Sequence, residues 1–201
     1  MAAIPRKGDK AFAGVADIEM GMTFLRVIGF DRSYAKGFKG AADTLVGSIL
    51  GDDIHLRFQM VIPACYLYRH YLELEMKYVL FMAGKLKVKT VTDEDLETHE
   101  LHPLWNMTRK VITTVVPDEP KASLGAMEAI IQEFHCIDPS GQELRYHKRT
   151  HGKESLQKLG DDFSLADLRL TMAKVQIYFE RISGLLDAMF DGIAEPVAPS
   201  G

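Results

Sequence analysis

The sequence predicts an all-α bundle of about five helices, with a small β-hairpin or ordered loop before the last helix. Three observations lead there. Apolar residues recur at three- and four-residue spacing over several long stretches. Clusters of glycine, proline and aspartate separate those stretches. Period-two alternation shows in "ELRYH", inside a segment with turn chemistry at both ends. No internal repeat or low-complexity segment suggests any other architecture.

The elements follow in chain order. Residues 1–30 read as a poorly defined extension, because Gly14, Gly21 and Gly29 break up every pattern in it. Residues 31–192 read as a single helical domain. Ser33 is placed to cap a first helix, whose apolar face would be Tyr34, Phe38, Ala41, Ala42, Leu45, Val46 and Ile49. A second helix is expected from about Leu56 to Met82, stopping at Gly84, with Pro63 kinking or restarting it. A charged connection, "KLKVKTVTDEDLET", follows. The third helix is "LHPLWNMTRKVITTVV", bounded by Pro117. The fourth is "KASLGAMEAIIQEF", with Leu124, Met127, Ile130, Ile131 and Phe134 on one face. Then comes the expected hairpin or loop. Ser164, with Asp167 three residues on, caps a long final helix, and 193–201 reads as a disordered tail.

The length of 201 residues suits one sizeable domain. A formal net charge of -4 leaves no overall pull toward nucleic acid, so such binding needs a local basic patch. Cys65 and Cys136 form no zinc spacing, which points to a reduced, intracellular protein. The start "MAAIPRKGDKAF" lacks the apolar core of a signal peptide, and no apolar run is long enough to span a bilayer. The expected location is cytoplasmic, with no membrane contact.

The most informative stretch is "LYRHYLELEMK", residues 67–77. On a wheel of ~100° per residue, Glu73, Lys77 and His70 fall about 40°, 80° and 100° from Arg69. Apolar residues fill nearly all the remaining circumference, with only Glu75 among them. A helix apolar almost all round is surrounded by neighbours, so this is the central helix and the arc is its polar seam. Two readings are open. In one, the seam satisfies itself through Arg69–Glu73 and Glu73–Lys77 at i,i+4 and His70–Glu73 at i,i+3. In the other it lines a cleft or dimer seam, where Arg69 and Lys77 hold an anion and His70 titrates near neutral pH.

Two other groups carry chemistry. His99 and His102, three apart, could face one metal on a helical turn, but no second ligand pair follows. The alternative places His99 near a helix start and makes Trp105 a core anchor, and no metal or cofactor is expected. The run "LRYHKRTHGK" sets Arg145, His147, Lys148, Arg149, His151 and Lys153 around Tyr146. Such a run suits phosphate or nucleic-acid contact, and suits a solvated turn equally well.

In chain order, "YAKGFKGAADTLV", "PACYLYRHYLELEMKYVL", "HELHPLW", "EFHCIDPSGQELRYHKRTHGKESL" and "LADLRLTMAKV" resemble an uncharacterised bacterial family similar to HEPN domains. The likeness spans Tyr34 to about Val175. It implies an all-α, often dimeric bundle of the kind found among toxins, phage-defence proteins and RNA-processing factors. Catalytic HEPN proteins look like metal-independent ribonucleases with an Arg-x4–6-His motif, and Arg145 and His151 have five residues between them. By that likeness His151 is the general acid–base at the ribose 2′-OH and the leaving oxygen, and Arg145 stabilises the phosphorane charge. In this chain the motif falls in an expected turn, and Tyr146 stands where a polar residue is usual.

The resemblance also singles out Arg69, His70, Glu73, Lys77, His99, Trp105, Arg145 and Tyr146. The expectation is therefore an RNA- or nucleotide-directed homodimer. Its catalytic candidates are Arg145, His151 and His70, and its ligand-binding candidates are Arg69, Glu73, Lys77, His99, Tyr146 and Lys148. A folded-back hairpin would let Arg145 share one anion pocket with Arg69 and His70. The alternatives are a non-catalytic oligomeric interaction module with a structural seam and, more remotely, a small metal-dependent hydrolase.

Overall fold

The computed structural model describes residues 32–51, 54–146, 156, 158–159 and 163–194. Among them are six helices: α1 (Arg32–Ile49), α2 (Ile54–Lys85), α3 (Asp93–Glu97), α4 (Leu101–Val115), α5 (Lys121–Ile137) and α6 (Leu165–Ala194). No strand occurs among the described residues. The all-α bundle is as expected, with one helix more than the sequence pattern suggests.

The architecture follows from α2. Tyr68, Tyr71, Leu72, Met76, Val79 and Leu80 are all fully buried. At ~100° per residue these positions spread over about half of the helix circumference, an arc wide enough to need more than one neighbouring helix to cover it. α1, α3, α4 and α6 all contact α2, and α5 packs outside on α4. Trp105 from α4 and Phe179 from α6 complete the core, both fully buried. Each large apolar side chain enclosed this way contributes ~1.5–3 kcal/mol of transfer free energy. No described helix is long and apolar enough to cross a membrane.

Local chemistry sets the helix ends. Ser164 Oγ accepts the Asp167 amide at 3.1 Å, as expected of a cap. α5 stops at Ile137 because Asp138 precedes a proline and is driven out of helical backbone. α3 is held by a reciprocal box, with Thr92 Oγ1 accepting the Asp95 amide at 3.2 Å and Asp95 accepting the Thr92 amide at 3.0 Å. Five residues are too few for periodicity to show, so the sequence there reads only as a charged connection.

Several expectations need correction. α1 starts one residue before Ser33, because Arg32 is already fixed by a forked bond to buried Glu75, at 3.2 Å from both Nε and Nη2. Tyr34 is 59% exposed, and Lys39 takes a buried place instead, donating to Asp43. The final helix continues through Ile193 and Ala194, two residues into the expected tail. The hairpin is absent among the described residues: the Arg145 and Tyr146 amides both turn back to the Gln142 carbonyl. The rest of that segment, the 1–30 extension and the tail beyond Ala194 lie outside the described residues.

α2 runs through Pro63 without restarting. None of residues 54–63 is fully buried, whereas Ala64 is. Pro63 therefore sits where an exposed arm meets the packed part of the helix. Lacking an N–H, it leaves the Gln59 carbonyl without its usual helical donor. Pro63→Ala should restore that donor and raise stability by about 1–3 kcal/mol, read as a higher urea midpoint at unchanged slope. An unchanged midpoint would mean that the proline is already accommodated.

Candidate functional site around Arg69

Arg69 is 1% exposed, so its charge must be matched inside the protein. All three of its side-chain nitrogens are engaged. Nη1 donates to Glu73 Oε2 at 2.6 Å, Nη2 to the His99 carbonyl at 2.5 Å, and Nε to the Asp138 carbonyl at 3.3 Å. Asp138 Oδ2 also lies 3.3 Å from Nε, close enough for an ion pair but off the N–H direction. Glu73 collects the remaining donors: its Oε1 faces Lys77 Nζ at 2.9 Å and His99 Nδ1 at 2.8 Å.

The segment after α5 is shaped to receive the guanidinium. Asp138 is fully buried, and its Oδ1 accepts the Glu143 amide at 3.0 Å, closing the loop on itself. Gly141 has φ +79°, in the left-handed region, and a Cβ there would lie 3.2 Å from Arg69 Cζ. Both its backbone conformation and its closeness to the guanidinium require glycine.

This arrangement answers the two readings of the seam. Arg69, Glu73 and Lys77 are buried together and satisfy one another, with His99 as the fourth member. His70 is not that fourth member. It turns toward α1, edge-on to Phe38 at 4.4 Å between ring centroids and stacked with Tyr66 at 5.9 Å. Arg69 is enclosed by these partners and His70 turns away from it, so the two do not open with Arg145 onto one shared pocket. Arg145 does reach the same structure from outside. It is exposed, its Nε donates to the Gly141 carbonyl, and its guanidinium lies 5.6 Å from the centroid of its neighbour Tyr146, which is 56% exposed. His99, with 63% of its side chain exposed, is also on the rim. Lys148 and His151 lie outside the described residues.

His99 and His102 diverge rather than face one metal. His99 bonds Glu73, while the His102 ring meets His135 of α5 at 5.6 Å. Sequence reasoning missed Asp138, Gly141 and Glu143. The stretch "DPSG" signalled a turn, but nothing in it pointed to Arg69.

Burial would by itself raise the Glu73 pKa, but hydrogen bonds from Lys77, His99 and Arg69 outweigh it and hold the carboxyl below its ordinary 4.5. Burial lowers His70 below 6.5, with Arg69 and Lys77 adding to the effect against Glu73. His135 is lowered by burial and then by His102.

Two substitutions test these contacts. Arg69→Ala removes the cation that Asp138 pairs with and one partner of Glu73, and should cost about 3–5 kcal/mol in a denaturant titration. Gly141→Ala should cost about 1–3 kcal/mol through backbone strain and contact with Arg69. A near-neutral Arg69→Ala would refute the central role given to this residue. The same contacts set a pH dependence. For all three shifted groups the folded pKa lies below the unfolded one, so the unfolded chain takes up protons first. The contribution of these three groups should be full above pH 6.5, decline as the histidines protonate below it, and decline again below 4.5 as Glu73 does, with buried Glu75, whose pKa is raised, working in the opposite sense. His135→Gln should weaken the first decline when midpoints are measured from neutral to acid pH.

No protein-family model, curated protein or solved structure matches the chain.

Proposed function

We propose that this chain is a HEPN-like, RNA- or nucleotide-directed protein that contacts its ligand through the rim of the Arg69 cluster. One observation carries the reading: a cation and an exposed ring, Arg145 and Tyr146, are presented together on a loop anchored to a buried ion network. An exposed guanidinium suits a phosphate, and an exposed aromatic face suits an unstacked base. The stretches "YRHYLELEMK", "HELHPLW" and "DPSGQELRY", which carry the resemblance, meet at this one place. In this reading Arg69, Glu73 and Asp138 are positioning residues, and Arg145, Tyr146 and His99 touch the ligand. The ribonuclease form of the proposal adds His151 as general acid–base and needs no metal.

Fluorescence anisotropy with a single-stranded RNA oligonucleotide tests it. Tyr146→Ala should weaken binding about 5- to 100-fold. Arg145→Ala should weaken it as well and make it less salt-dependent. If cleavage occurs in EDTA, His151→Ala should abolish it while leaving the fold and binding intact. RNA affinity indifferent to both rim substitutions would defeat the reading.

A second reading has its own observation in favour. The seam is closed, and α6 leaves Leu170 and Ile177, seven residues apart, 61% and 68% exposed. That pattern suits a non-catalytic module that assembles with itself through an apolar helix face. Under it, the same titration returns no RNA affinity that depends on Arg145.

A further inference from the structure

The C-terminal end of α2 contains a residue that backbone rules would make glycine. The Lys87 amide donates to the Gly84 carbonyl at 3.1 Å and the Val88 amide to the Ala83 carbonyl at 3.0 Å. This double closure puts the residue between helix and loop in the left-handed region. That residue is Lys87, at φ 56°. A Cβ is strained there and glycine is not, so something other than the turn accounts for a lysine at this place.

Its surroundings supply a reason. Lys87 lines an open cavity of about 410 Å³ together with Lys85, Lys89, Phe81, Val91 and Leu96. That volume lies within the ~300–1,000 Å³ of small-molecule sites. The lining includes three lysines and one carboxylate, Asp93. Lys85 Nζ lies 5.3 Å from the Phe81 ring centroid, and Lys89 Nζ donates to the Thr90 carbonyl at 3.2 Å. The cavity thus has a cationic rim and an apolar wall, on a part of the molecule that includes none of the Arg69 cluster.

We propose that this cavity binds a small organic phosphate. The doubly charged head meets Lys85, Lys87 and Lys89, and a flat apolar body lies on Phe81, Val91 and Leu96. A phosphate monoester carries ~1.5–2 negative charges at neutral pH and three acceptor oxygens, enough for three ammonium groups in a compact space. Apolar contact alone would not account for three lysines, and inorganic phosphate alone would not use the wall.

Titration calorimetry with α-naphthyl phosphate, inorganic phosphate and α-naphthol separates these contributions. α-Naphthyl phosphate should bind at least about tenfold more tightly than either fragment. Lys87→Gly is the decisive variant, because it relieves the backbone while removing the charge. Its thermal midpoint should equal or exceed that of the parent, and its affinity for α-naphthyl phosphate should fall about tenfold or more. The double variant Lys85→Gln/Lys89→Gln, which leaves the turn untouched, should lose affinity likewise. The proposal is overturned if both variants bind α-naphthyl phosphate as the parent does, or if α-naphthol binds as well as its phosphate.

Discussion

The arrangement depends on the enclosure of one guanidinium. Removing Arg69 from water costs several kcal/mol, and the folded state offsets this only by giving each nitrogen a partner. Those partners come from three places: α2 itself through Glu73, the connection before α4 through the His99 carbonyl, and the loop after α5 through Asp138. All three must be in position at once. An apolar side chain of similar volume could give equal stability without dictating where the His99 carbonyl and the Asp138 loop go. The contribution of this network is specificity of arrangement more than strength.

The opposite side of α2 repeats the device in simpler form. Glu75 lies two residues from Glu73, roughly 200° round the helix. It is fully buried and held by the fork of Arg32 from α1. The two carboxylates differ in environment. Burial dominates at Glu75 and raises its pKa despite Arg32, whereas three donors overcome burial at Glu73 and lower it. The central helix is therefore pinned in rotation from both sides by charge, while its broad apolar face supplies most of the burial.

Much of this was legible in the sequence, and the limits have physical causes. The bundle, the central helix and the pairing of Arg69, Glu73 and Lys77 all follow from helical spacing, because i,i+4 neighbours are fixed by the backbone. Asp138 is 69 residues from Arg69, and no local pattern encodes such a meeting. His70 was placed in the seam because a wheel gives direction but not competition: His99 arrives from another segment and takes the place beside Glu73. The fork of Arg32 went unread because the residues before Ser33 show no clear period. Lys87 was invisible for another reason, since a positive φ at a lysine contradicts the residue preference that a sequence reader relies on. How the site is used is less legible still, because a basic run such as residues 145–153 suits a phosphate and a solvated turn equally well.

The long reach of Arg69 has a consequence for the order of events during synthesis. Glu73 is made almost together with Arg69, so the cation has a partner as soon as the helix forms. The His99 carbonyl arrives 30 residues later and Asp138 another 39 after that. The last piece to close is the one that carries Arg145 and Tyr146. A nascent or truncated chain that ends before Asp138 has the helix and its internal ion pair but lacks the part of the rim that Arg145 and Tyr146 form. The surface that pairs Arg145 with Tyr146 comes into being only when the network is complete, so whatever it contacts must wait for folding.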